Sequence, residues 1–479
     1  MRDQFRLLPF YACATAFTWT VQNDPFFWDT VQLASKHAHH FYSNGLRWTP
    51  LPADIDSGHP PAFGYYLATI WTHFGKTLPA SHWAMLPFLL LNVGLLYRVG
   101  LRIGGEKQAF MLLPLVLLDP VVAGQQALVS PDVVLVSGFL LAVVGILESR
   151  RLLIAVGIAT LCMTSMRGMM TAGGLFACQM LHDVLFSGEK AISGHFLRRT
   201  VSKTAPFLPG FAFAAWFLWW HKAQTGWSGY HAESPWAPAF AKAGGLQMLK
   251  NLAVVGWRWL DFGRVFEWLL AFWLICKAGG IKKTGQTLPP GFKKFLLLLL
   301  CLVVFLSPSA ILFQNISAHR YFLPGFLTFH FVVFQLITGY GRWTAGGVNL
   351  AGTFLIAALA LGNLWIYPRG ISMGWDATLA HLPYHRLRAE AVEFLEQEKV
   401  DFQDVGSAFP NLNTGENLML NGDQRCFAEK DFSRNKFIFA SNIFNDFSEN
   451  DYKILEEKWL LIKHFEHAGV WVDLYRRQE

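Results

Sequence analysis

Long apolar runs alternate with short polar segments from the N-terminus to about residue 366. A helix needs roughly 20 mostly apolar residues to cross a bilayer, and about eleven runs approach that length. They lie near residues 6–21, 83–102, 108–124, 132–148, 152–166, 168–186, 205–221, 262–277, 294–313, 320–339 and 346–366. The pattern predicts a polytopic α-helical membrane protein with about eleven transmembrane helices, give or take two.

The basic residues predict how these spans are oriented. With the N-terminus in the cytoplasm, the inner loops receive most of the Lys and Arg clusters, such as those at Arg98 and Arg150. The opposite orientation would place the clusters outside, against the positive-inside rule. A cytoplasmic N-terminus leaves three long segments outside: residues 22–82, residues 222–261 and the tail after residue 367. We expect function in these segments.

The tail has the composition of a soluble protein. A helix-like stretch comes first, two strand-like runs follow, and an amphipathic helical pattern lies between the runs. The helix-like stretch is residues 384–399, and the strand-like runs are residues 436–441 and 469–475. The amphipathic pattern is residues 451–467. We therefore predict a transmembrane domain over residues 1–367 and a small α/β domain outside the membrane over residues 368–479.

Composition supports the membrane class. Apolar residues make up 53% of the chain and charged residues only 15%, and the mean hydropathy is positive at +0.30. The net charge of +7 lies mostly in short loops between spans, so it indicates membrane topology and not a nucleic-acid surface. Of the six cysteines, only Cys426 lies in a clearly polar region, which excludes a disulfide framework and a CxxC metal site.

The first long loop contains several candidate catalytic groups. Asp29 opens a stretch whose apolar residues recur at helical spacing. Such a helix would lie along the membrane interface, with Asp29 in its first turn, where the backbone dipole favours a carboxylate. Further on, Asp54 and Asp56 precede Gly-His-Pro-Pro at residues 58–61, and the two prolines are typical of a helix start.

Each of these groups also has a purely structural interpretation. Asp29 could only cap its helix, and Asp54 and Asp56 could form a solvated turn. A bare Asp-x-Asp pair is weak evidence for a metal, and the histidines of this loop lack a convincing set of partner ligands. They are His37, His39 and His40. We therefore predict no metal site, although a divalent cation remains open.

The order of these features resembles the protein O-mannosyltransferase and aminoarabinose-transferase group, which are membrane glycosyltransferases of the GT-C type. Two later motifs add to the resemblance. They are Ser130-Pro131-Asp132, where an acid opens a span, and Arg320-Tyr321-Phe322-Leu323-Pro324. Many relatives have Asp-Glu where this chain has Asp29-Thr30. The second carboxylate is then missing or comes from Asp24, Asp56 or Asp132.

The resemblance implies an inverting transfer of a sugar from a polyprenyl-phosphate-linked donor to a glycan, lipid or protein acceptor on the outer, periplasmic face. Asp29 would act as the base. The donor phosphate would be bound by Arg320, Arg167 and Arg258. The substrate pocket would include His59, Tyr321, Trp227, Tyr230 and His231. Each arginine could instead be an interface anchor whose head group reaches toward water.

Other functions compete with this one. A lipid-linked sugar transporter or flippase would also be polytopic, but the predicted spans carry few central charges, with Glu267 as a possible exception. A further alternative is an anchor or assembly protein whose tail binds a partner. The chain could also be a different kind of enzyme, an O-antigen ligase or polymerase. The modest length favours a bacterial inner membrane.

Overall fold

A computed structural model describes residues 2–186, 200–229, 231, 237–288, 291–314, 318–340, 349–368, 371 and 373–478. Each predicted span overlaps one or more helices in these ranges. The helices up to residue 362 are α1 (Arg2–Val21), α2 (His37–Ser43), α3 (Ala62–Phe74), α4 (Leu78–Trp83), α5 (Leu86–Gly104), α6 (Ala109–Leu117), α7 (Pro120–Ala127), α8 (Pro131–Leu147), α9 (Arg151–Thr164), α10 (Met166–Phe186), α11 (Leu208–Thr225), α12 (Gly245–Leu260), α13 (Arg264–Lys277), α14 (Ile281–Thr287), α15 (Gly291–Leu312), α16 (Leu323–Tyr340) and α17 (Leu350–Gly362).

Within the described residues, three helical segments are long and apolar enough to cross a bilayer: Leu78–Gly104, Gly291–Leu312 and His319–Tyr340. The pair α6 and α7 would make a fourth, broken by a bend of 68°. Asp119 lies at that break and starts α7 by accepting hydrogen bonds from the backbone of Val121 and Val122. The membrane class is therefore supported, and the count of about eleven spans stays a prediction.

The two ends of the helical bundle carry different kinds of ion pair. At the end where α8 finishes, Glu148 pairs with Arg98, with Arg102 at 3.7 Å and with Arg150 at 3.3 Å. At the opposite end, where α8 starts, acidic residues of several elements meet. The basic cluster at one end is what the positive-inside rule expects of a cytoplasmic face.

The segment after Asp29 is helical, as predicted. It forms a π-helical turn, Val31–Lys36, that continues into α2. Val31, Ala34 and Ala38 are fully buried against the apolar side of α3. α3 thus supplies the apolar partner of this face, and the position of the helix along the membrane interface stays a prediction.

The second long loop contains α12. Leu246, Leu249 and Leu252 are exposed on this helix, and Asn251 fastens its other side by donating a hydrogen bond of 2.7 Å to the carbonyl oxygen of Phe313.

After α17, the chain forms α18 (Leu382–Gln397) and a five-stranded mixed sheet of order β2-β1-β3-β5-β4. The remaining elements are β1 (Val405–Ser407), α19 (Gly415–Met419), β2 (Ala428–Glu429), β3 (Phe437–Ser441), α20 (Glu449–Lys458), β4 (Trp459–His467) and β5 (Val470–Arg477). Strand β1 is parallel to β2 and β3, whereas β5 is antiparallel to β3 and β4. The small α/β domain thus has the predicted class.

One predicted element of this domain is wrong. Residues 451–467 were expected to be one helix, but the helix ends at Lys458 and the rest is β4. Ala468 and Gly469 both have positive φ, 50° and 79°, and they form the two-residue turn that joins β4 to β5. The resulting hairpin pairs His467 with Val470, so tertiary pairing overrides the helical pattern.

Candidate active site

Arg320 is the centre of a buried group of charges. A short 3-10 turn, His319–Phe322, places it at the start of α16, where its side chain is 3% exposed. Its guanidinium hydrogen-bonds the carboxylate of Asp29, lies 3.2 Å from Asp132 Oδ2 and lies 2.8 Å from Asp376 Oδ2. We call these four residues, together with Arg167, the Arg320 cluster. It joins two motifs that the sequence analysis identified separately.

Local backbone geometry brings Asp29 into the cluster. Trp28, just before it, has a positive φ of 54°, which turns the chain sharply. Thr30, just after it, donates to the carbonyl oxygen of Phe27 at 2.7 Å and accepts from the Phe27 N–H at 3.0 Å. The residue that replaces the second acid of the family pattern therefore fixes the turn at Phe27 through its hydroxyl and brings no charge.

Asp132 is the supporting acid candidate that contacts Arg320. It lies in the first turn of α8, whose N-terminus is capped by Ser130 at 3.1 Å from the Asp132 N–H, and a helix N-terminus favours a carboxylate. Arg167, in the first turn of α10, lies 3.1 Å from Asp132 Oδ1 and places its guanidinium 4.4 Å from the centre of the Tyr321 ring. Arg167 and Tyr321 thus stand beside Arg320.

Asp376 was missed by the sequence analysis. It belongs to a turn, Trp375–Ala377, between α17 and α18, and its carbonyl oxygen accepts a hydrogen bond of 2.7 Å from Gln125 of α7. Burial raises the pKa of Asp376 to about 6, because the attraction of Arg320 is offset by nearby Asp29 and Asp132. The two guanidiniums of Arg320 and Arg167 carry one positive charge fewer than the three carboxylates can offset, so Asp376 binds a proton more readily than an exposed aspartate does.

The raised pKa of Asp376 predicts a pH dependence of stability. Its folded-state pKa of about 6 exceeds its ordinary value of 3.8, so the stability linked to the neutral carboxyl is complete below pH 3.8 and lost as pH rises through 6. Asp376→Asn cannot ionise. Relative to the wild type, its free energy of unfolding should rise by roughly 2 kcal/mol between about pH 4 and pH 8. Denaturation of both purified proteins at the two pH values checks this, and a pH-independent difference would contradict it.

His59 lies next to the cluster. It shares a small cavity with Asp132 and Arg167, and its Nδ1 accepts a hydrogen bond of 3.3 Å from the Met166 N–H. Burial lowers the pKa of His59 to about 3, and the positive charge of Arg167 acts in the same direction. The imidazole is therefore neutral at physiological pH and offers a polar ring to a ligand beside Asp132.

Asp56 and two of the predicted pocket residues lie in a different assembly. Asp56 Oδ2 is 2.9 Å from His221 Nε2, and Asp56 Oδ1 accepts a hydrogen bond of 2.8 Å from the Gly58 N–H. Trp227 packs against the rings of His221 and His231. These contacts hold the chain after α11 onto the turn that precedes α3, and none of them involves Arg320. Tyr230 lies outside the described residues.

Close backbone packing at this junction makes a separate prediction. Gly58 has φ of +71°, and a Cβ there would collide with the carbonyl oxygen of Gly229. Gly58→Ala should therefore lower the free energy of unfolding by about 2 kcal/mol or more. Gly45→Ala is the matched control, because Gly45 has φ of +61° with open space around it. Equal thermal stabilities of the two variants would show that the junction is not tightly packed.

The remaining candidates lie near the cluster but outside it. Burial raises the pKa of Asp24 to about 6, and its carbonyl oxygen is 3.0 Å from His82 Nε2. Arg258 Nη1 is 3.4 Å from Asp261 Oδ2, which is 2.6 Å from His319 Nε2. Arg258 is therefore linked to the residue that precedes Arg320. Among the described residues, no group of three or more His, Cys, Asp and Glu side chains could hold a metal ion.

Neither family models nor curated proteins match this sequence. Two solved structures do match: ArnT from Cupriavidus metallidurans bound to undecaprenyl phosphate, and the same protein in the apo state. The first has a TM-score of 0.55 at 11% identity, and the match covers 98% of this chain and 97% of ArnT. The second has a TM-score of 0.54 at 11% identity over 99% and 98% of the two chains. The chain therefore has, over nearly its whole length, the fold of ArnT.

Proposed function

We propose that the protein is an inverting glycosyltransferase that moves a sugar from a polyprenyl-phosphate-linked donor to an acceptor. The observation that carries the proposal is the pairing of Asp29 with Arg320. The Asp29 side chain is 21% exposed, whereas those of Asp132 and Asp376 are 1% and 4% exposed. Asp29 is thus the one carboxylate of the Arg320 cluster that an acceptor can reach.

The reaction assigns one role to each charge. The acceptor hydroxyl attacks the anomeric carbon from the side opposite the phosphate, and Asp29 takes the hydroxyl proton as the new bond forms. The bond from the anomeric carbon to the phosphate oxygen breaks, and the electron pair leaves with the phosphate. Arg320 and Arg167 supply positive charge for this leaving group in a site of low dielectric.

The charge balance of the cluster suits an anionic ligand. Three carboxylates face the two guanidiniums of Arg320 and Arg167. A proton on Asp376, whose pKa is about 6, brings the cluster from a net charge of −1 to zero. A phosphate then meets less repulsion than it would from three ionised acids. The binding of undecaprenyl phosphate by a protein of the same fold supports a polyprenyl-phosphate donor.

The charge distribution supports a periplasmic position of the site. The Arg320 cluster lies where α8 and α10 start, and the Arg98, Arg102 and Arg150 group lies at the other end of α8. If the basic end faces the cytoplasm, then Asp29 and the C-terminal α/β domain face the periplasm of a bacterial inner membrane. The acceptor would then be a periplasmic glycan, lipid or protein.

Deletion in the source organism tests the proposed function. Mass spectrometry of its glycoconjugates should show one class that lacks a sugar residue, and a plasmid copy of the wild-type gene should restore that residue. A complete set of glycoconjugates in the deletion strain would contradict the proposal.

One observation favours a second candidate, a lipid-linked sugar transporter. Asp119, Arg264, Glu267 and His330 are fully buried where α7, α13 and α16 meet. Asp119 lies 3.1 Å from Arg264 and 3.3 Å from His330, and His330 lies 2.7 Å from Glu267. Buried ionisable groups among membrane helices mark transport pathways in many carriers. A transporter would move donor lipid across vesicles in the absence of acceptor, and Glu267→Gln would slow that movement whereas Asp29→Asn would not.

A further inference from the structure

The C-terminal domain packs aromatic rings against Phe27 and Trp28, and its short helix α19 adds hydrogen bonds to the segment that carries Asp29. The Phe26 N–H donates a hydrogen bond of 2.8 Å to the carbonyl oxygen of Leu418. The Ser35 hydroxyl donates a hydrogen bond of 2.7 Å to the carbonyl oxygen of Asn417. Asp29 lies between these two points, so α19 holds the chain on both sides of the proposed base.

Glu416, also in α19, adds charged interactions with His39 and Lys76 to this contact. Its Oε1 is 2.9 Å from His39 Nε2 and hydrogen-bonds the ammonium of Lys76. Its Oε2 accepts a hydrogen bond of 2.7 Å from the Gly422 N–H. The side chain is only 10% exposed. Burial acts to raise the pKa of Glu416, but Lys76, His39 and the Gly422 N–H together hold it below its ordinary value, so the carboxylate is charged at neutral pH.

The backbone between the two attachment points needs outside support. Trp28 has a positive φ of 54°, and residues Val31–Lys36 form a π-helical turn. Such conformations are less stable than regular helix, by about 1–3 kcal/mol for a strained residue, and they persist where surrounding structure holds them. α3 packs on one side of this segment, and α19 holds it from the C-terminal domain.

We infer that Glu416 is a positioning residue for Asp29: by binding Lys76 and His39 it fixes α19 on the catalytic segment, so that the C-terminal domain forms part of the catalytic unit. The inference rests on the proposed function for its kinetic consequence. Its structural half concerns the backbone of residues 26–39 alone and has a readout that needs no activity.

Glu416→Gln tests both halves, because it removes the charge and keeps the size. Hydrogen exchange of residues 26–39 in the full-length protein should become at least about threefold faster. The kcat for transfer should fall about tenfold, since a small displacement of a base strongly slows proton transfer, while KM for the donor stays within about twofold.

Lys430→Gln is the matched control. It removes an ion pair of 2.8 Å with Asp451 in the same domain, at side chains that are 20% and 15% exposed. Exchange of residues 26–39 and kcat should both match the wild type. Unchanged exchange in Glu416→Gln overturns the inference, and so does faster exchange without loss of kcat in an active enzyme. Absence of transfer by the wild-type protein would instead overturn the proposed function, and the exchange result would still decide whether Glu416 holds the segment.

Discussion

Asp29→Asn is expected to reduce sugar transfer by roughly a thousandfold, the usual scale for loss of a general base. Asparagine keeps the size of the side chain and can still accept a hydrogen bond from Arg320, but it cannot take a proton from the acceptor. The protein should therefore fold, insert and bind donor normally. Initial rates with purified protein, together with thermal unfolding, separate loss of chemistry from loss of structure.

Asp54→Asn is the control for this experiment. Asp54 is an exposed acid of the same loop, and it should tolerate the substitution with a rate within about twofold of the wild type, as surface substitutions usually do. If Asp29→Asn retains the wild-type rate, Asp29 is not the base. If Asp54→Asn loses as much activity as Asp29→Asn, the effect reflects the charge of the loop as a whole.

Arg320→Gln is expected to destabilise the protein and abolish transfer together. It leaves Asp29, Asp132 and Asp376 close to each other without the guanidinium that all three contact. Removal of one partner from a buried ion pair typically costs about 3–5 kcal/mol, and loss of a group that stabilises the leaving phosphate slows a reaction by about 100-fold or more. Thermal unfolding and transfer rates measure the two effects.

A second variant separates the stability effect of Arg320 from its catalytic one. Arg320→Gln combined with Asp376→Asn removes one of the stranded carboxylates, whereas Asp132 keeps Arg167 as a partner, and should recover about half of the lost stability, since repulsion among the acids falls. It should recover no activity, because the phosphate still lacks its guanidinium. A single variant as stable as the wild type would mean that the cluster is not held by Arg320.

The helices could be predicted because bilayer thickness imposes long apolar runs, and each predicted span overlaps one or more helices. Asp29, Asp132, Arg167 and Arg320 were found because each lies close to the end of such a run, and residues at the same end of a bundle can meet. Asp376 could not be predicted in this way. It meets Arg320 only because the turn after α17 packs onto α7, a contact between residues 251 positions apart.

Asp56 is the opposite case, a residue that the sequence favours and that long-range packing places away from Arg320. In the sequence it looks equivalent to Asp132 as a second acid, because both lie in loops near proposed active-site residues. Its partner is His221, a residue inside α11 that no motif marked. The hairpin of β4 and β5 was missed because helical spacing in residues 451–467 was weighed without the turn at Ala468 and Gly469. Local pattern identifies candidate groups, whereas long-range packing decides which of them meet.

The most direct test of the central claim is a single-turnover reaction with reconstituted protein, an isotopically labelled polyprenyl-phosphate sugar and an acceptor extract from the source organism. The account predicts that labelled product and free polyprenyl phosphate appear in equal amounts, that the anomeric configuration of the sugar is inverted, and that Asp29→Asn forms both products roughly a thousandfold more slowly. Retention of configuration, or passage of the labelled lipid across the membrane without transfer, would contradict it.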